Sequence, residues 1–461
     1  MAFSFHFLCS LLFLSLFSVP CIASSSASIT IPLSHFHPQQ YPNPFQNLTH
    51  LAARSITRAR LLKDPHNKGP APSTAPLFSR SYGGYSIPLS FGTPPQTLQF
   101  VMDTGSDVVW FPCTRRYRCN DCSFLRSDPN NLTPFIPKLS SSVKILGCSN
   151  PKCGWIHRTN GTRCSDCKSS GNCTQICPPY LIFYGSGATG GFALVDTLDF
   201  PARKVPGFMV GCSVFSSRQP AGIAGFGRGM ASLPSQLGLK KFSFCLLSRE
   251  FDDTNDSTPL VLDSELNSQR KTFNTIYTPF LKNPTVADKE AFSVYYYVCL
   301  RKITVGGKRV RIPYDYFSPG VDGDGGTIVD SGSTFTYMTK SVFDRVVRQF
   351  VHQARGYKRA PNVESAIGLR PCFKITGGET LLPEMVLHFK GGAKMALPLK
   401  NYFVMAEEMG AVCLAMVTDG AFGPATSSGP AIILGSFQMQ NFYVEYDLRN
   451  ERFGFRRQLC K

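Results

Sequence analysis

Two stretches far apart in this chain carry one pattern. Val101-Met102-Asp103-Thr104-Gly105-Ser106 is matched by Ile328-Val329-Asp330-Ser331-Gly332-Ser333. Each is followed by a second shared signal, Gly222-Ile223-Ala224-Gly225 after the first and Ile432-Ile433-Leu434-Gly435 after the second. A repeat of whole elements implies two lobes related by a pseudo-twofold axis. In each lobe an apolar pair leading into Asp, hydroxyl, Gly, hydroxyl reads as a buried strand that ends in a tight turn.

The surrounding sequence fits an all-β body with a few short helices. Gly (39) and Pro (34) are plentiful, and long amphipathic helical patterns are few. Tyr85 to Phe91, Leu98 to Met102 and Val108 to Phe111 read as strands. Brief helices are expected over Leu233 to Gly238 and Ser341 to Ala354, the second with an apolar stripe suited to core packing. The expected division is a leader at 1–23, a basic pro-segment and Pro-rich linker at 24–80, a first lobe at 81–280 and a second at 281–461. Within 24–80 the stretch Leu51 to Lys63 is a basic helical patch carrying Arg54, Arg58, Arg60 and Lys63. Its cations are expected to sit over an anionic cleft, the alternative being an unstructured basic tail.

Phe7 to Phe17 is an apolar core too short for a membrane anchor, and small residues at Cys21-Ile22-Ala23 suit cleavage. The expectation is a secreted protein, extracellular or in the cell wall, with the vacuole also open. Of 17 Cys, nine crowd between Cys113 and Cys177. In an oxidising compartment this insert, 113–177, reads as disulfide-stapled. Its pairs Cys119-Cys122 and Cys164-Cys167 have zinc as the rival reading, but no metal and no cofactor are expected. Cys299, in a strand-like run outside the cluster, is the candidate free thiol. Sequons at Asn47, Asn131, Asn160, Asn172 and Asn255 are glycosylation candidates. The formal net charge of +18 is read first as a solvated basic surface plus the basic pro-segment. Weak affinity for acidic polysaccharide is the alternative. The charges are dispersed and no nucleic-acid motif is visible; a monomer is expected.

The repeated Asp has a chemical reading. A lone Asp is a poor base, since its unperturbed pKa is about 3.9. Two brought together cannot both ionise cheaply, so they share one proton and hold an acid and a base at once. The base takes a proton from water, which attacks a carbonyl; the acid hydrogen-bonds the carbonyl oxygen. Gly105 and Gly332 permit a tight turn and close backbone approach. Ser106 and Ser333 are placed to bond the outer carboxylate oxygens, and Thr104 and Ser331 to brace the loops across the twofold.

At these residues the chain resembles the pepsin-like aspartic proteases, from about residue 82 to the end. The resemblance implies a bilobal fold with a cleft between the lobes. It implies a protein or peptide substrate and Asp103 and Asp330 as the catalytic pair of an endopeptidase with an acidic optimum. Trp110 matches the tryptophan that supports the family's flap tyrosine. Tyr184-Gly185-Ser186-Gly187 resembles the flap hairpin, with Tyr184 and Ser186 toward substrate. The Cys-rich insert, the acidic Asp107, Gly227-Arg228-Gly229 and Lys241-Phe242-Ser243-Phe244-Cys245 resemble the plant nepenthesin-like branch. That likeness pairs Cys372 with Cys413 and Cys245 with Cys460. The same fold also has catalytically silent plant members, xylanase inhibitors and basic seed globulins, which leaves a binding protein as the alternative.

Overall fold

Short apolar or alternating runs split by Gly and Pro recur along this chain, a pattern that suits β-strands. The outcome is mostly strand with few helices. The structure is a computed structural model that describes residues 28–35, 44–64, 84–120, 133–157, 164–166, 173–184, 187–201, 203–217, 221–248, 257–264, 274–287, 289–375, 381–419 and 428–461. The leader, Gly185, Ser186, Cys122, Cys167 and the sequons Asn131, Asn160, Asn172 and Asn255 lie outside them. Asn47 is described only as a backbone position, on a helix.

The elements that place the site are β1 (Ser28–His35), α1 (Pro44–Lys63), β2 (Tyr85–Phe91), β3 (Gln96–Asp103) and β4 (Trp110–Pro112). β2 has the expected bounds. The expected Val108 start of β4 moves to Trp110: the turn after Asp103 covers Thr104 and Gly105, and residues 106–109 belong to no strand. β3 lies parallel to Gly222–Gly225, with Asp103 beside Gly225. In the second half the strand Thr327–Asp330 lies parallel to Ile432–Gly435, with Asp330 beside Gly435. The strand after each Asp returns antiparallel to the same partner: Trp110 pairs with Ile223, and Tyr337 with Ile433. The sequence repeat is therefore a repeat of paired strands.

One 15-stranded sheet joins the halves, because Lys241–Cys245 pairs with Phe442–Asp447 near the C-terminus. β1 is inserted in that sheet, antiparallel to both Ser257–Asp263 and β2. The sequence reading has no strand in residues 24–80; Pro32 argues against one. Here Pro32 faces Pro259, so two residues without N–H groups share one rung of the ladder. Ile29, Ile31 and Leu33 then alternate into the core.

The basic patch is helical, and the helix starts earlier than Leu51, at Pro44. α1 is not a tail. Leu48, Leu51, Ile56 and Leu62 are buried in one apolar cluster with Phe335, Tyr337, Val404, Ile433 and Phe437 of the second half. Ser55 Oγ donates to Leu51 O at 2.8 Å and accepts from the Phe335 N–H at 2.9 Å, stitching the helix to the loop after Asp330.

Candidate active site

Both carboxylates sit at strand ends and are almost fully buried, Asp103 at 2% and Asp330 at 0% exposure. A twofold set of four buried bonds holds their loops together. The Thr104 N–H donates to Ser331 Oγ at 3.1 Å, and the Ser331 N–H to Thr104 Oγ1 at 2.9 Å. The two hydroxyls in turn donate to backbone carbonyls across the axis, Thr104 to Val329 and Ser331 to Met102. Each of the two hydroxyls thus both accepts and donates.

The two carboxylates are held by matching partners. Asp103 Oδ1 accepts from the Gly105 N–H at 2.9 Å, and Oδ2 from Ser106 Oγ at 2.7 Å. Asp330 Oδ1 accepts from the Gly332 N–H at 3.0 Å, and Oδ2 from Ser333 Oγ at 2.6 Å. A Cβ on Gly105 would strike Asp330 Oδ1, and one on Gly332 would strike Asp103 Oδ1. The glycines are what let the carboxylates face each other.

Arg58 of α1 stands between them. Its Nη2 donates to Asp103 Oδ1 at 2.6 Å and to Asp330 Oδ1 at 3.4 Å, and its Nε to Asp330 Oδ2 at 3.1 Å. Burial opposes charge on Arg58, but Asp103 and Asp330 outweigh it and raise its pKa. The two carboxyls are driven apart. Burial raises Asp103 to about 6, with Asp330 adding to the rise and Arg58 and Ser106 working against it. Burial works on Asp330 too, but Arg58, Ser333 and the Gly332 N–H together hold it below the ordinary value. Such separation is how a carboxyl pair holds one proton.

Trp110 Nε1 donates to the Tyr184 hydroxyl at 2.7 Å, and both rings are buried. Tyr184 ends the strand Tyr180–Tyr184, which pairs antiparallel with Gly187–Phe200 as a hairpin beside α1. Burial holds its hydroxyl protonated, with a pKa well above the usual value. In the second half Tyr337 takes the place of Trp110. Its hydroxyl bonds to Asp419 and accepts from Lys63 Nζ, at the end of α1, at 3.0 Å. Burial lowers Lys63 to about 8 despite Asp419 nearby.

Disulfides join Cys113–Cys212, Cys148–Cys164, Cys153–Cys177, Cys245–Cys460 and Cys372–Cys413. His157 lies close to Cys153 and Cys177, but those sulfurs are bonded to each other and offer no thiolate. Cys299 is buried and free.

Sequence reasoning named the basic patch without singling out Arg58, because no local pattern marks which cation reaches the pair. It gave Asp107 no role. Buried Asp107 accepts from the Gly229 N–H at 3.0 Å, while the Gly227 N–H donates to Ser106 O and the Phe226 N–H to Asp103 O. A Cβ on Gly229 would overlap the Asp107 carboxylate. An acid in the first loop and a Gly-Arg-Gly later in the chain are the signal that pairs them.

Two family profiles cover most of this chain, one described as xylanase inhibitor N-terminal over residues 85–262 and one as xylanase inhibitor C-terminal over 295–457. The chain is 32% identical to aspartic proteinase nepenthesin-1 of Nepenthes gracilis, over 93% of this chain and 90% of that one. The chain belongs to the pepsin-like aspartic protease family. Within these proteases it is also 31% identical to aspartyl protease family protein 2 of Arabidopsis thaliana, over 88% of this chain and 76% of that one. Solved structures share the fold of this pepsin-like protein at lower identity. The protein called edgp matches with a TM-score of 0.63 at 19% identity, covering 94% of this chain and 95% of that one. Basic 7S globulin from soybean matches with a TM-score of 0.60 at 16% identity, covering 94% and 96%.

Proposed function

We infer that the protein is an aspartic endopeptidase made in a latent form, in which α1 fills the cleft between two lobes. The observation that carries the reading is the full set of bonds around Asp103 and Asp330, with the Arg58 guanidinium lying between their Oδ1 atoms. Those oxygens face each other, share a proton and have buried, braced backbones, which suits them to hold a water. One takes a proton from that water as it attacks a peptide carbonyl; the other hydrogen-bonds the carbonyl oxygen. No covalent intermediate is needed. Arg58 Nη2 occupies the place of the water, so removal of residues before about 80 is the activating step. A cleaved leader at 1–23, secretion and sugar at the sequons belong to the same proposal; a mass shift on peptide N-glycosidase treatment tests the last.

The descriptions of the two matching profiles favour a second reading, a binding protein on this fold. One assay separates them. A protease site is engineered between residues 65 and 80, α1 is released and washed away, and a quenched peptide library is digested at acidic pH. Cleavage is expected, and Asp103→Asn or Asp330→Asn should reduce it by roughly a hundred- to ten-thousand-fold. No cleavage by the released wild-type chain, or cleavage unchanged in both variants, sinks the protease reading.

A further inference from the structure

The second half carries a basic surface that the active site does not use. The turn after the strand Leu300–Val305 and the face of the helix Lys340–Gln353 enclose two adjoining open grooves, of about 620 and 470 Å³. The first is lined by Lys308, Arg309, Arg311 and Arg345 with the aliphatic Ile312 and Pro313, and by no acidic residue. The second shares Arg345 and adds Lys340, Arg348 and Arg370. Its one carboxylate, Asp344, is already held by Lys340 at 2.5 Å and Arg370 at 2.7 Å. Among the described residues no ion pair reaches Lys308, Arg309, Arg311, Arg345 or Arg348.

Like charges gathered in a concavity repel one another and focus field lines, so the arrangement costs stability unless something anionic enters. Arg345, at the junction, is built in rather than splayed into water. Its Nη1 donates to Arg311 O at 3.2 Å, and its Nε is buried with no hydrogen-bond partner. The bond to Arg311 O fixes the guanidinium at the junction of the two grooves. Guanidinium forks match the planar carboxylate in two-point contacts. Neither groove is lined by an aromatic ring, and single-stranded nucleic acid binding depends on such rings as stacking platforms. The grooves share Arg345 as a common wall and offer several cations, which suits a polymer with many anions more than a single small ion.

We propose that these grooves bind a linear carboxylated polysaccharide, with Lys308, Arg309, Arg311 and Arg345 as the carboxylate contacts. The site is distinct from the Asp103–Asp330 cleft and does not rest on the protease reading. It also gives part of the net charge of +18 a location.

The test uses the whole secreted chain and measures retention on immobilised polygalacturonate, on its fully methyl-esterified form and on single-stranded DNA. The wild type is expected to bind polygalacturonate, to lose binding on esterification and to release with rising salt. A triple variant, Lys308→Ser, Arg309→Ser and Arg311→Ser, changes exposed side chains only and should weaken binding about tenfold or more. A charge-matched control, Lys138→Ser, Lys144→Ser and Lys204→Ser, also on exposed positions, should stay within about twofold. Equal loss in both variants would mean that overall charge, not this site, attracts the polymer, and overturns the proposal. Equally tight retention on DNA, or on the methyl ester, overturns the assignment to carboxylates.

Discussion

In the proposed latent form Arg58 is the residue whose placement matters most. It joins two buried carboxylates with one guanidinium, and each contact is charge-assisted. Lysine would reach the same place as a point charge but would not span Asp103 Oδ1 and Asp330 Oδ2 together. Truncation leaves the dyad facing a gap where water can enter, and the dyad keeps its own way to relieve repulsion by sharing a proton. Arg58→Ala is therefore expected to fold, and to cleave a small quenched peptide before any processing, at least about tenfold faster than the unprocessed wild type. Adding Asp103→Asn should remove that activity. If the unprocessed Arg58→Ala chain is as silent as the wild type, the block lies in the body of α1 rather than in its arginine.

The helix that carries Arg58 is held by more than charge. One face of α1 buries Leu48, Leu51, Ile56 and Leu62 in the cluster around Phe335 and Ile433. Its last turn carries Arg60 and Lys63, the signs that suit a helix C-terminus, and both face Asp419. β1 adds a second attachment through its pairing with Ser257–Asp263. A cut in the linker would thus leave both elements seated, and the proposed activation requires that they separate. Leu51→Ala removes packing in that cluster without touching the dyad. It should cost about 2–5 kcal/mol of the hold on α1, seen as faster loss of the cut segment on gel filtration under acidic conditions. Unchanged retention of the segment would show that the apolar face adds little to the hold.

In the proposed latent form two carboxyls respond to pH in opposite directions. Asp103, raised to about 6, prefers its proton, so its ionised form costs stability above about pH 6. That cost is relieved as the pH falls through this value. Asp330 is held down, so its contribution is full above the ordinary value of 3.8 and is lost only as the pH falls through its lowered value. Arg58 therefore keeps one anionic partner after Asp103 is neutral. Release of α1 is expected only when acidification goes well below pH 6, and Asp330→Asn should move the midpoint up toward that value. Trp110 reports on this, since its partner Tyr184 sits on the strand next to α1. Its fluorescence in a Trp155→Phe background, followed against pH, should shift with release. An identical midpoint with and without Asp330 would dissociate release from the dyad.

The pair and its immediate surroundings are legible from local order alone. Asp103 and Asp330, their glycines and hydroxyls lie within four consecutive residues, so local order fixes their geometry once each strand ends in its turn. β2 was legible for the same reason, as were the helices near Leu233 and Lys340: their periodicity is local. Tertiary structure decided what depends on the approach of distant surfaces. Which of four nearby cations reaches the dyad follows from the rotation of α1, which its apolar contacts with the second half set. That Ser28–His35 is a strand follows from an open edge at Ser257–Asp263 and from Pro259 standing opposite Pro32. Asp107 gained its role only when Gly229 was brought against it. Lys63 is grouped in the sequence with cations expected over an anionic cleft, but its full burial with Tyr337 and beside Asp419 depends on partners that nothing adjacent to it in the chain supplies.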